Sequence, residues 1–279
     1  MTMSLSIEST VSLHNGIKMP MLGFGTFKCP NESETIDAIQ CAVDAGYRHI
    51  DTAMVYKNEE VVGKAVRECG VGREEIFLTT KCWNTDLREG PDAVLKAFDA
   101  SLDRLGLDYV DLYLVHWPTG DFVSYWKSFE KIYESGRAKA IGVSNFLISH
   151  LDKLLPTCDI KPMVDQVECH PQHSDPALRA YCKKNQIAFE AWSPLAQGKF
   201  KEIDLIMDLA AKYGKSGAQM ILRWNLQSEI VTIPKSMTPS RIKENADIFD
   251  FEISDEDMAA ITALDATKRV GPHPDEITF

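Results

Sequence analysis

Short apolar runs alternate along this chain with stretches whose apolar residues recur at helical spacing. Eight runs read as strands: MLGFG (21–25), YRHID (47–51), IFLTTK (76–81), YVDLYLVH (109–116), AKAIGVS (138–144), MVDQVE (163–168), IAFEAW (187–192) and IVTIP (230–234). Helical patterns fill the gaps. Asn31 with Glu34 reads as a capping box, and Ile36, Ile39 and Val43 keep helical spacing until Gly46. Val62, Ala65, Val66 and Cys69 form a second stripe closed by Gly70. Pro91 opens a third helix with Val94, Phe98, Leu102 and Leu105 inward and Gly106 at its end. Two helical stretches split at Gly214 follow the seventh strand, and Thr238-Pro239 starts the eighth helix. Ser254 with Asp257 opens one helix more. Ahead of all this, VSLHNGIKMP sets Asn15-Gly16 between two short alternating segments, which is a hairpin signal.

Eight β-α repeats argue for a parallel sheet, because each crossover helix covers a sheet face. Closed on itself, such a sheet is an α/β fold of the (β/α)8 TIM barrel type, expected here as a single domain over 1–279. An open doubly wound sheet is the second choice. That fold normally carries a glycine-rich first turn, and GFGTFK has Gly23 and Gly25 but no third glycine. No phosphate-binding loop of the GxxxxGK type occurs.

Composition narrows the function. Hydrophobic residues make up 44% and charged residues 25%, ordinary for a globular protein, and the formal net charge is −11. No Lys/Arg run builds the basic stripe of a nucleic-acid binder, and the acidic balance disfavours anionic membranes. Neither nucleic acid nor membrane is therefore expected as a partner. The seven cysteines are scattered and contain no CxxC pair, which suits a reducing compartment. MTMSLSIEST lacks a basic segment followed by an apolar run, and no window nears the ~20 apolar residues of a membrane span. The expectation is a cytoplasmic protein, taken as a monomer.

In a barrel, reacting groups sit at the C-terminal ends of the strands. Those ends carry Asp51 with Tyr56 in the next loop, Lys81, His116 with Trp117, Ser144 with Asn145, Gln166, and Trp192 with Ser193. Taken singly, each has a plain reading. Asp51 and Lys81 could be a structural ion pair, His116 a core histidine, and Tyr56 a packing residue with a wet hydroxyl. A carboxylate, an ammonium, an imidazole and a phenol on one rim is a different matter. A lysine beside a phenol favours the phenolate and so is expected to lower the tyrosine pKa. His116 can fix a carbonyl oxygen, and Tyr56 can then protonate it. None of the four is a good nucleophile with its own base, so the electron pair must come from outside, as hydride from a nicotinamide. IPKSMTPSRIKEN adds Lys235, Ser236, Thr238 and Arg241 around a helix start. That is an anion site suited to a phosphate monoester, or simply a solvated basic helix end.

Other chemistries fit less well. Glu168 and Glu190 could be the carboxylate pair of a retaining glycosidase, which needs them about 5 Å apart. Cys169, His170 and His173 have loosely ligand-like spacing, but zinc needs four ligands or three plus water.

The ordered motifs GYRHIDTAMVYKNE, TTKCWN, DLYLVHWP, IGVSNF, DQVECHP, AWSPL and IPKSMTPSRIKEN resemble the aldo-keto reductase superfamily over essentially the whole chain. The resemblance implies a (β/α)8 barrel with an N-terminal β-hairpin closing the bottom and an extra C-terminal helix. It implies NADPH/NADP+ bound without a Rossmann domain, a small-molecule carbonyl substrate, and a catalytic tetrad at Asp51, Tyr56, Lys81 and His116. Nicotinamide contacts fall on Ser144, Asn145, Gln166 and the stacking Trp192, with further cofactor contacts at Gly25, Thr26, Ser193 and Leu195. The adenosine phosphate falls to Lys235, Ser236, Thr238, Arg241 and Asn245. Phe27, Trp83 and Trp117 line the substrate pocket. Asp165 stands where the family usually has Asn, and Phe27 where it often has Trp. Short loops after Trp117 and between Gly198 and Ile203, with a brief tail, resemble bacterial and protozoan members and imply an open pocket. The rival from another class is a non-catalytic, NADPH-binding regulatory subunit.

Overall fold

The computed structural model describes residues 5–29 and 32–279. Eight parallel strands form one sheet in chain order: β3 (Phe24–Gly25), β4 (His49–Asp51), β5 (Phe77–Cys82), β6 (Val110–Val115), β7 (Ala138–Ser144), β8 (Val164–Glu168), β9 (Ala188–Trp192) and β10 (Val231–Thr232). A parallel bridge from Leu22 to Thr232, with amides exchanged between Gly23 and Thr232 and between Thr232 and Met21, joins the last strand to the first. The sheet is a closed barrel. Its middle strands are buried along their whole length, as continuous apolar runs require when helices cover the outside.

The expected strands are present, and the first, second and eighth are shorter than their apolar runs. Pro234 has no N–H to extend the ladder past β10. A side chain at Gly23 would come within 2.7 Å of His49 Nδ1, so the first strand enters the barrel through a residue without a Cβ. Before the barrel, β1 (Thr10–Ser12) pairs antiparallel with β2 (Lys18–Pro20). The turn donates from Asn15 to the Lys139 carbonyl, and His14 meets the Lys161 carbonyl. Both carbonyls lie at or just before the N-terminal ends of β7 and β8, so the hairpin closes the bottom.

The outer layer is α1 (Glu32–Asp44), α2 (Glu59–Glu68), α3 (Asn84–Glu89), α4 (Pro91–Leu105), α5 (Phe122–Glu134), α6 (Ile148–Leu154), α7 (Pro176–Asn185), α8 (Asp204–Tyr213), α9 (Gly217–Gln227) and α10 (Pro239–Ala246). Pro91 stands at the start of α4, and Gly106 (φ 62°) and Gly214 (φ 63°) end α4 and α8 in the left-handed region. The proposed cap at Asn31 lies outside the described residues. The extra helix, α11 (Asp255–Thr262), has the Ser254 side chain accepting from the Asp257 amide. Among the described residues no helix is long and apolar enough to cross a membrane.

Asp165 lies fully buried on β8. One carboxyl oxygen accepts weakly from the Phe146 amide (3.4 Å), and the other has no partner among the described residues. Burial pushes its pKa well up, the Phe146 amide opposes the rise, and Asp175 adds to it. A neutral carboxyl has nearly the size and shape of the Asn amide and, like it, needs no counter-ion. A folded-state pKa above the unfolded value of about 3.9 means that the stability it contributes is complete below that pH. That contribution is lost as pH rises through the folded pKa. Asp165→Asn escapes the loss. It should raise Tm at pH 7 by several degrees, from about 1 kcal/mol or more, and the gain should shrink at pH 4. Thermal melts at the two pH values check both the sign and the convergence.

Candidate active site

A cleft of about 660 Å³ opens at the C-terminal ends of the strands. Asp51 ends β4 and Lys81 lies on β5, and the register of parallel neighbours brings them together. Lys81 Nζ reaches both carboxylate oxygens of Asp51 at 2.6 and 2.7 Å and the Thr52 carbonyl at 2.8 Å. Lys81 is 0% exposed. Burial works to lower its pKa, but Asp51, Tyr56 and Glu190 outweigh it and the lysine is held above its ordinary value.

Tyr56 closes a 3-10 turn, Met54–Tyr56, that leaves β4 directly. A chain of bonds fixes the exit: Thr26 Oγ1 donates to the Asp51 carbonyl, Asn58 to the Thr26 carbonyl, and Thr52 Oγ1 to Asn58. Lys81 Nζ stands 5.2 Å from the Tyr56 ring centre, and the His116 ring 5.8 Å from it, edge to face. The expected downward shift of the phenol is corrected here. Burial raises the Tyr56 pKa more than Lys81 lowers it, and Asp51 and Glu190 add to the rise. The resting tyrosine is therefore firmly protonated, with the Lys81 ammonium close to its ring. His116 is pushed well below the ordinary histidine value by burial and by Lys81, so the ring is neutral.

The amide-bearing residues are locked to one another at the ends of β7, β8 and β9. Asn145 (φ 63°) donates to the His116 carbonyl and to Ser144 Oγ, while its own side-chain oxygen accepts from Trp192 Nε1 at 2.8 Å. Ser144 Oγ donates to the Gln166 carbonyl at 2.6 Å. Gln166 Nε2 donates to Asp51 at 2.8 Å and to Glu190 at 3.0 Å. Asn145 and Ser193 (φ 49°) both hold left-handed backbone, an uncommon state for such residues that concentrates at functional sites.

Most of the residues proposed from the sequence face this cleft. Gly25, Asp51, Tyr56, His116, Ser144, Asn145 and Gln166 line it, as do Trp192, Ser193, Leu195 and Lys235. So do Phe27, Trp83 and Trp117, with the Phe27 ring tilted 5.0 Å from Tyr56 and Trp83 edge to face 5.0 Å from His116. Lys81 sits beneath the floor. Thr26 is buried with its hydroxyl engaged, and Ser236, Thr238, Arg241 and Asn245 lie further out, at the start of α10 and along it. Lys235 is exposed and donates to the Lys28 carbonyl, and Arg241 is exposed. This leaves two cations near a helix N-terminus, a fitting place for a phosphate.

Sequence reasoning missed the tail. Val270, Gly271, Pro272 and Phe279 line the cleft, and Phe279 stacks parallel to Trp83 at 5.7 Å and edge-on to Trp117. The Phe279 carbonyl oxygen accepts from Asn84 and Arg88. The expectation that a brief tail leaves the pocket open is thus corrected, since the tail forms a wall. Gly271 packs so closely that a Cβ there would meet Trp192 at 2.4 Å, and the tail's sequence pattern gave no signal of it. Glu168 fastens the tail, accepting from the Val270 and Gly271 amides and facing His170 at 3.2 Å. Burial works to raise the Glu168 pKa, but these partners outweigh it and hold it low. Glu168 and Glu190 do not line the cleft, which removes the glycosidase pairing. Among the described residues no group of three His, Cys, Asp or Glu could hold a metal.

The model of the aldo/keto reductase family matches residues 21–266. The chain is 52% identical over 278 residues to the glyoxal reductase of Bacillus subtilis (strain 168), covering 99% of this chain and 100% of that protein. An aldo-keto reductase from a Medee basin deep-sea metagenome library superposes with TM-score 0.93 at 44% identity, over 97% of this chain and 100% of that one. A Bombyx mori aldo-keto reductase solved in complex with NADP superposes with TM-score 0.89 at 33% identity, over 97% of each chain.

Proposed function

The chain belongs to the aldo/keto reductase family of NADP-dependent oxidoreductases acting on carbonyls, and from that premise we propose that it reduces aldehydes, ketones and small α-dicarbonyls to alcohols with NADPH, using Tyr56 as the general acid. The observation that carries this reading is the convergence of Tyr56, Lys81, Asp51 and His116 on one cleft that Gln166 and Trp192 also line. The glyoxal reductase relative supports the dicarbonyl class.

The residues present fit the cofactor. Gln166 spends both side-chain N–H groups on carboxyls and keeps its carbonyl oxygen for a carboxamide. Trp192 is pinned by Asn145 beside it, and Lys235, Arg241 and the start of α10 offer positive charge for a 2′-phosphate. NADPH, when bound, supplies a hydride to the carbonyl carbon. The protein's part is to place and protonate the carbonyl oxygen. His116 is neutral, and its Nδ1 is buried without a partner, so the ring proton belongs on Nε2, where it can be donated to that oxygen. Tyr56 gives up its proton to the same oxygen, and the phenolate left behind faces Lys81. Trp83 and Trp117, with Phe27 and Phe279 at the exposed rim, give the reacting group apolar walls. The seven cysteines are free thiols, which supports a cytoplasmic setting.

NADPH oxidation measured across a panel of aldehydes, ketones and α-dicarbonyls tests the activity. Tight NADPH binding with no turnover on any of them would instead favour a cofactor-sensing subunit. Lys235→Ala and Arg241→Ala should each weaken NADPH about tenfold and NADH by less than about twofold, the loss of one charge-assisted contact. Equal losses for both cofactors would remove the 2′-phosphate from this place.

A further inference from the structure

We infer that Glu190 is a positioning residue for the cofactor: with Asp51 it holds both N–H groups of the Gln166 side-chain amide, so that Gln166 turns its carbonyl oxygen toward the nicotinamide carboxamide. This rests on the reading above in one respect, that Gln166 meets the nicotinamide.

Gln166 and Glu190 are register partners on β8 and β9, with side chains on the same interior face. Asp51 reaches the same amide nitrogen from β4, so Gln166 ties distant strands together inside the barrel. Glu190 is 0% exposed and does not line the cleft, so it touches neither substrate nor cofactor. Its Oε2 accepts from Gln166, and its Oε1 has no hydrogen-bond partner among the described residues. The nearest cationic candidate, His49 Nε2, is 3.6 Å away and meets Thr79 Oγ1 at 3.2 Å. A carboxyl that deep, with one hydrogen bond and no cation at bonding distance, is costly to keep for packing alone.

The amide orientation follows from the charges. Asp51 already binds the Lys81 ammonium, so the amide must offer it a donor, and the carbonyl end is excluded there. One N–H then points at Asp51, and the other is buried bare unless Glu190 receives it. Without that second anchor the amide plane can rotate about a single bond, and its carbonyl oxygen loses its aim. Of the groups facing Glu190, Asp51 adds to the rise that burial imposes on its pKa, and Lys81 and the Gln166 donor oppose it. His49 is held neutral by burial. Protonated or ionised, the carboxyl keeps an oxygen that accepts.

The test is binding, with no turnover involved. NADP+ is compared with its 3-acetylpyridine analogue, which has a methyl in place of the carboxamide NH2, by quenching of tryptophan fluorescence. The parent should prefer NADP+ about tenfold (~1.4 kcal/mol). E190L should reduce the preference to about twofold or less, and E190Q, which keeps an acceptor oxygen, should restore it. Unchanged binding of 2′,5′-ADP shows that E190L is folded with its phosphate end intact. If E190L does not fold, E190M, with similar length and no acceptor, is read the same way. A folded E190L or E190M that keeps the parent's preference overturns the role of Glu190. A parent without preference, or a Q166A variant that keeps it, overturns the placement of Gln166 at the nicotinamide, and the inference falls with it.

Discussion

Tyr56→Phe is expected to lose about a thousandfold in kcat for aldehyde reduction while binding NADPH within about twofold of the parent. The substitution removes one oxygen and leaves the ring, so the contacts with Phe27 and His116 persist. The alternative acids are poorly placed. His116 is neutral and has one proton to offer, and giving it up would leave an imidazolate. Lys81 is held by Asp51 and the Thr52 carbonyl and is 0% exposed. The pH profile carries independent information. A raised Tyr56 pKa keeps the donor form filled below that value, so reduction should stay flat from about pH 6 to 8 and fall only as the phenol ionises at alkaline pH. A Phe variant with the parent's rate would remove Tyr56 as the acid. A parent profile that rises with pH through neutrality would remove the burial-dominated shift.

What the sequence could and could not reveal follows from what each inference needed. Strand ends needed periodicity alone, and Asp51, Lys81, His116, Asn145 and Trp192 could be placed on one rim because a barrel puts all its strand ends there. The direction of the Tyr56 shift needed burial. Distance to a lysine can be guessed from neighbouring strands, but the depth of a phenol in a low-dielectric cleft cannot. Phe279 and Gly271 were illegible for another reason. The chain after α11 has no periodic face, so nothing in its pattern says that it folds back across the rim to meet Trp83 and Trp192. Glu190 was visible as a carboxylate near a strand end. That it points inward, to the amide of Gln166, depends on the β8–β9 register, which the apolar run alone leaves free by one residue.

Lys81→Met should cost the fold about 3–5 kcal/mol as well as nearly all turnover, because it leaves the Asp51 carboxylate buried and unpaired. At this chain length that is on the order of 10 °C in Tm. The pair is an expensive way to stabilise a barrel, since two charges must leave water and similar apolar side chains would serve as well. Its retention is understandable if the lysine is needed for the phenolate that Tyr56 becomes. Stability and activity can therefore be separated. Combining Lys81→Met with Asp51→Asn removes both charges while the substituted side chain keeps a carbonyl oxygen that can accept from Gln166, so most of the lost Tm should return and the turnover should not. The linkage has the matching sign. A lysine raised above its unfolded pKa contributes stability that is complete below about pH 10 and is lost as pH climbs through the folded value. Urea unfolding of the single and double variants, with kcat measured on the same samples, decides it. A Lys81→Met protein as stable as the parent would mean that Asp51 finds another partner or a proton, and the paired charges would no longer explain the buried floor.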